Sequence, residues 1–174
     1  VTQAMHQVGD LWFKGSATVA DEHLATRVVL TALQKLRGVM APHEPNGLNA
    51  ICCGSEGDLP ELPVHLVTLI LESKGWRVIN LGANTPLFSL QEMVSRQRPQ
   101  LICISARTIA DLDRAVAEFA HLRRVANRLE AKIVLGGEAF RDPNLRVRLP
   151  GDFFPADFPA LSRLAVKLAK ETED

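Results

Sequence analysis

The chain has 174 residues, 47% of them hydrophobic, with 20 Lys and Arg balanced by 20 Asp and Glu. That length suits one domain, or one domain with a small appendage, and the apolar fraction suffices for a real core. The zero net charge argues against a general nucleic-acid or membrane-surface binder, no apolar run reaches the length of a membrane span, and no basic-then-apolar leader opens the chain.

The three cysteines, Cys52, Cys53 and Cys103, are an odd count and lie in apolar runs. They read as core residues of a cytoplasmic protein, not as a disulfide framework. The chain opens at Val1, in mid-pattern and without Met, so a piece of something longer is expected.

Residues 1–42 are helical in pattern. The run MHQVGDLWFKG predicts a first helix with Trp12 near its end and Gly15 as its stop, and SATVADEHLATRVVLTALQKLRGVM predicts a second. Thr18 followed by Asp21 is a capping-box signature, and Leu24, Val28, Leu30, Leu33 and Leu36 supply an apolar face. The stretch APHEPNG, residues 41–47, is a linker by composition.

From Leu48 to residue 174 strands alternate with helices. LNAICC is a short continuous apolar run, hence a buried strand. PVHLVTLILESKG predicts a helix stopped by Gly75, WRVINLG a second strand and LFSLQEMVSRQ a helix opened by Pro86. QLICIS is a third strand and AKIVLGG a fourth; between them TIADLDRAVAEFAHLRRVANRL keeps Ile109, Leu112, Val116, Phe119, Leu122 and Val125 in helical step. The tail from Asp152 predicts a short fifth strand and a closing helix. Continuous apolar strands alternating with helices predict an α/β domain with a five-stranded parallel sheet covered on both faces. Ligands of such sheets bind beyond the carboxyl ends of the strands. Those ends are small and Gly-rich here: the turn from Gly54 to Asp58, Gly82 with Asn84 and Thr85, Ser105 with Arg107, and Gly136-Gly137. They allow a flat ligand to approach the backbone closely. Neither a GxGxxG fingerprint nor a GxxxxGK[ST] phosphate loop is present.

One combination is more specific. Trp12, nine residues, then Glu22-His23 precede the sheet, which carries Gly75-Trp76, LGANTP at residues 81–86, Ser105 after the third strand and Gly136-Gly137 after the fourth. This resembles the cobalamin-binding module of methionine synthase and corrinoid proteins, and most of all the light-sensing MerR-type regulators (the CarH/LitR family). The resemblance implies a flavodoxin-like domain beneath a corrin ring, with a helical-bundle cap above it. It implies that Trp12 packs against the upper-face group, that His23 faces the metal from the cap with Glu22 shaping the pocket, and that Ser105, Gly136 and Gly137 line the slot for the nucleotide tail. It also implies four cap helices where two are visible, so that a second copy in a homo-oligomer, or other domains of a longer chain, completes the cap.

The family's lower-ligand motif is D-x-H-x-x-G. The aligned residues here are Asp58-Leu59-Pro60-Glu61-Leu62-Pro63: the Asp is kept, the His is Pro60 and the Gly is Pro63. Proline has no donor atom for a metal. Both prolines suit the first turn of a helix, so the fold survives while the lower axial ligand is lost. His65 stands five positions after Pro60 and reads as an ordinary helix histidine rather than a substitute. The loss argues against a methyltransferase or mutase role.

Three readings stay open: cobalamin held by cap, rim and tail slot, with His23 or nothing as protein ligand; another tetrapyrrole such as haem or a bilin; or no cofactor, in a protein-interaction domain. No Ser-His-Asp, Cys-His or paired-carboxylate set falls on the rim, where Asp58 and Glu138 are lone acids, so catalysis is not expected. The expected role is a cytoplasmic sensory domain of a transcriptional or light-responsive regulator, a photoreceptor in its closest family. This portion is expected to contact neither nucleic acid nor membrane directly.

Overall fold

The structure, a computed structural model, describes residues 2–40 and 44–172, and the chain divides into units of residues 1–41 and 42–174. In the first unit, α1 (Thr2–Phe13) ends where Gly15 takes φ 71°, and the Ser16 and Ala17 N–H groups both donate to the Leu11 carbonyl. Glycine suits that left-handed turn. α2 (Val19–Val39) opens with the expected capping box: Asp21 N–H donates to Thr18 Oγ1 at 3.1 Å, and Thr18 N–H donates to the Asp21 carboxylate at 2.8 Å. The Thr18 hydroxyl bond, more than the backbone one, holds the Asp21 carboxyl below its usual range. α1 packs against α2. Of the expected apolar face, Leu30 and Leu33 are buried, whereas Leu24, Val28 and Leu36 are exposed.

In the second unit, β1 (Asn49–Gly54), β2 (Arg77–Asn80), β3 (Leu101–Ser105) and β4 (Lys132–Gly136) form a parallel sheet in the order β2-β1-β3-β4. Side chains alternate across it. Ile51, Ile102 and Ile133 face α4 (Leu87–Gln97) and α5 (Leu112–Leu129), while Ala50, Leu101 and Val134 face α3 (Leu62–Glu72) and α7 (Phe158–Glu171). Both faces are covered, which is why the central strands β1 and β3 carry continuous apolar runs, while edge strand β2 has Arg77 exposed and Val78 to Asn80 half-buried.

The sequence pattern predicts five strands, and the described residues form four. Where the fifth is expected, Phe153 makes one parallel bridge to Val134; Leu135 N–H donates to the Phe153 carbonyl at 3.0 Å and Phe153 N–H to the Ile133 carbonyl at 3.2 Å. Pro150 and Pro155 bracket this stretch. Pro155 has no N–H to continue the ladder, so pairing stops after a single bridge.

Two elements after β4 were not expected from the pattern: a 3₁₀ turn at Glu138–Arg141, and α6 (Pro143–Arg148). The side chain of Asp142 accepts from Asn144 N–H at 2.8 Å, and Pro143 follows at the first helical position. α5 starts later than its periodicity suggests, because the Asp111 side chain caps it by accepting from Arg114 N–H at 3.0 Å.

The three cysteines are free and buried. Cys52 and Cys103 are register partners across β1 and β3. Hydrogen bonding with Cys103 pushes the Cys52 thiol up, and burial pushes Cys53 up to about 12. An unfolded thiol ionises near ~8.5. The folded state therefore holds more protons between that pH and about 12, so the contribution is complete below ~8.5 and lost as pH rises. Two results are expected. Thiol reagents will react with the native protein far more slowly than with the urea-unfolded one at pH 8. The urea midpoint will fall between pH 8 and 10.5, and by less in Cys53→Ala. Equal thiol reactivity in the two states would overturn this account.

Candidate functional site

The carboxyl ends of the strands are laced together by backbone bonds. Gly54 N–H donates to the Gly82 carbonyl at 2.8 Å, Thr85 N–H to the Gly54 carbonyl at 3.0 Å and Ser55 N–H to the Ser105 carbonyl at 2.9 Å. The end of β1 is thus tied to the loops after β2 and β3. A Cβ on Gly54 would stand 3.1 Å from Ala83 Cα, so the residue is small because the β2 loop crosses there.

Asp58 is the hub of this rim. Its Oδ2 accepts from Arg107 N–H at 2.6 Å, its N–H donates to the Ser55 carbonyl at 3.0 Å, and its carbonyl accepts from Asn84 N–H at 3.0 Å. Asn84 sits at φ 51°, a conformation Asn tolerates, and its Oδ1 accepts from Gly57 N–H at 2.8 Å. Asp58 and Asn84 together join the loops after β1, β2 and β3. Asp58 is 5% exposed, and its second oxygen, Oδ1, is buried with no hydrogen-bond partner. The nearest cation to it is Arg107 Nε, at 3.9 Å. An unmet buried carboxylate oxygen is costly, so this atom marks a place where a donor belongs.

The two glycines after β4 differ. Gly137 has φ 100°, and a Cβ there would lie 2.3 Å from the Ala106 carbonyl oxygen. A Cβ on Gly136, or on Gly82, would meet nothing within 4 Å. Gly136 is the register partner of Ser105. Among the described residues, the hydroxyls of Ser105 and Thr85 have no partner. Open space beside Gly136 and Gly82, free hydroxyls on Ser105 and Thr85, and the unmet Asp58 oxygen form a small, polar, ligand-ready rim.

At the ligand position of the D-x-H-x-x-G pattern stands Pro60. Pro63 lies in the first turn of α3, as expected. Pro60, expected there too, precedes Glu61, which takes the N-cap position without a side-chain capping bond. His65 is half-buried one turn in, its N–H bonded to the Glu61 carbonyl at 3.1 Å.

In the first unit, Trp12 is the penultimate residue of α1 and Glu22-His23 lie in the first turns of α2. The nine-residue interval therefore spans the turn and brings both to one end of the helical hairpin. Trp12 is 49% exposed. The His23 side chain is 72% exposed, with Nε2 3.8 Å from the Glu22 carboxylate. Glu22 Oε1 accepts from Thr26 Oγ1 at 3.0 Å.

One feature has no local sequence signal. On the α4–α5 side of the sheet, opposite Ser105, an apolar recess is lined by Ile104, Leu135, Phe119 and Phe140, with Arg114 and Glu56 paired at its mouth. Glu138, by contrast, pairs with Arg141 at 3.2 Å. Among the described residues no helix is long and apolar enough to cross a membrane, and no group of three or more His, Cys, Asp and Glu is placed to hold a bare metal ion.

Two family models, each described as a B12 binding domain, match residues 1–37 and 49–158. The HTH-type transcriptional repressor CarA of Myxococcus xanthus is 33% identical over 126 residues, 71% of this chain and 42% of that protein. Trimethylamine corrinoid protein 1 of Methanosarcina acetivorans is 24% identical over 139 residues, 78% of this chain and 64% of that one. The chain thus spans less than two thirds of each of these relatives. Among solved structures, the monomethylamine corrinoid protein of Methanosarcina barkeri superposes with a TM-score of 0.76 at 17% identity, over 94% of this chain and 78% of that one. A cobalamin-binding protein of Desulfitobacterium hafniense superposes at 0.58 with 22% identity, over 97% and 78%. At these identities the structural likeness shows the fold.

Proposed function

The chain belongs to the B12-binding domain family, and from that premise we propose that it is the cobalamin-binding sensory domain of a longer, cytoplasmic transcriptional regulator rather than an enzyme. Cobalamin is its cofactor. The observation that carries the regulatory reading is a polar rim that keeps Asp58, Ser105 and Gly136 while Pro60 stands where the family has the ligating His, with Pro63 in place of the motif's Gly. The 33% identical relative is a repressor, and corrinoid proteins of amine metabolism are similar at lower identity. Loss of the ligating His weighs against a corrinoid methyltransferase subunit.

On this reading Gly82, Asn84 and Thr85 support the ring from below, with Asp58 beneath them, and Ser105 with Gly136 receives the nucleotide tail. When bound, cobalamin supplies a light-absorbing ring and a metal with exchangeable axial positions. Within the first unit, Trp12 and the Glu22-His23 pair lie at one end of the helical hairpin and supply an exposed aromatic ring and an exposed imidazole. The His23 side chain is solvent-exposed, and imidazole binds a metal only through a deprotonated ring nitrogen. The exposed apolar residues of the hairpin, Trp12, Leu24 and Val28 among them, fit a cap completed by a second copy or by another part of a longer chain.

The test is absorbance after gel filtration of the purified protein with cobalamin, haem or biliverdin added separately. Cobalamin should co-elute in stoichiometric amount, with a spectrum free of lower-face protein imidazole. Stoichiometric haem or biliverdin with no retained cobalamin would reject the proposal.

A further inference from the structure

We propose that Arg107 binds the phosphate of the cobalamin nucleotide tail, so that this chain selects complete corrinoids over those lacking the tail; the inference rests on the cobalamin reading above. Three cations lie on the described rim: Arg107, Arg114 and Arg141. Arg114 closes on Glu56 and Arg141 on Glu138. Arg107 is placed differently. Its backbone N–H is pinned by Asp58 Oδ2 at 2.6 Å, yet its guanidinium is 69% exposed and its Nε stands 3.9 Å from Asp58 Oδ1, beyond hydrogen-bond distance. The residue is fixed and its donors remain available.

Its location is the second argument. Arg107 follows Ser105 by two positions, and Ser105 is paired in register with Gly136, the glycine whose missing Cβ leaves open space. A tail lying against Ser105 and Gly136 passes this corner of the rim. The chemistry fits. A guanidinium presents a planar fork of donors that matches a phosphate bidentately, which a lysine does not. The buried Asp58 carboxylate holds the backbone of Arg107 through Oδ2 at 2.6 Å and leaves Oδ1 unmet, 3.9 Å from Nε. It fixes where the side chain starts without taking up the guanidinium's donors, which remain for a phosphate.

The experiment is an affinity ladder by equilibrium dialysis, using the dicyano forms of cobinamide, cobinamide phosphate and cobalamin, so that axial ligation is the same on every rung and His23 plays no part. For the unaltered protein, affinity should rise about tenfold or more between cobinamide and its phosphate, and the step should shrink in high salt. Arg107→Gln should remove the step while leaving cobinamide affinity within about twofold, and Arg107→Lys should retain part of it. Asp58→Asn should reduce the step without removing it. A step that survives Arg107→Gln, a flat ladder with tight binding on every rung, or an equal loss on the cobinamide rung would each overturn the role of Arg107 while leaving the cobalamin reading intact. Failure of all three rungs to bind the unaltered protein would overturn the cobalamin reading and this inference with it.

Discussion

Gly137→Ala will destabilise the sheet domain by roughly 2–5 kcal/mol, a large share of the ~5–15 kcal/mol that holds a domain folded. The cause is local and double. At φ 100° an L side chain is strained, and the new Cβ would stand 2.3 Å from the Ala106 carbonyl oxygen and 2.9 Å from its carbon. Those are backbone atoms and cannot rotate away. Ala106 is itself held by its N–H bond to the Gly136 carbonyl at 2.9 Å and by Ala139 N–H on its own carbonyl at 3.1 Å, so relief of the clash breaks a rim bond. Gly136→Ala next door should behave oppositely, because its Cβ would enter open space: stability changes within about 1 kcal/mol, and cobalamin affinity falls as the tail slot fills. Urea midpoints and dialysis on the two variants separate the effects. An unchanged midpoint for Gly137→Ala would sink the strain argument, and unchanged affinity for Gly136→Ala would remove Gly136 from the slot.

That contrast also shows where sequence reading stops. The pair Gly136-Gly137 is legible as a rim feature, because it follows an apolar strand in an alternating pattern; its division into one glycine crowded by backbone and one beside open space is not, because φ and the approach of Ala106 are three-dimensional facts. The central strands were legible for a physical reason: β1 and β3 are buried on both faces, so residues 50–53 and 101–104 are apolar runs with no polar interruption. The fifth strand misled because Phe153 carries the right composition in a stretch bracketed by prolines, with room for one bridge. α6 did carry a signal, Asp142 before Pro143, but its six residues are too few to show periodicity. The capping box at Thr18 was readable because its partners are three residues apart. The bond from Arg107 N–H to Asp58 joins residues 49 apart, and the pair of Glu56 with Arg114 spans 58; no local pattern encodes either. The resemblance points to Asp58, yet that one of its oxygens is unmet is visible only in the fold.

That unmet oxygen makes the last expected result specific. Converting Pro60 to His and Pro63 to Gly together should create lower-face imidazole ligation of cobalamin, visible as a shift in its absorbance spectrum that the starting protein lacks. Pro60 lies ahead of the helix cap, so a side chain there is not constrained by α3 geometry, whereas Pro63 is built into the first turn and fixes the backbone at φ ≈ −65°. Pro60→His alone should therefore ligate weakly, and the double variant better. Asp58 is already positioned to serve: Oδ2 is occupied by Arg107 N–H, and Oδ1 is free to accept from the second ring nitrogen of the new histidine, which fixes its tautomer and raises its basicity. Adding Asp58→Asn to the double variant should then weaken the ligation signal by ~10–100-fold in affinity. Adding His23→Ala should leave it unchanged, because the new nitrogen comes from the sheet domain and not from the helical hairpin. A signal already present in the starting protein that survives His23→Ala and disappears with His65→Ala would reverse the assignment. It would mean that the start of α3 rearranges on binding to bring His65 to the metal, and that Pro60 did not abolish protein ligation but moved it along the chain.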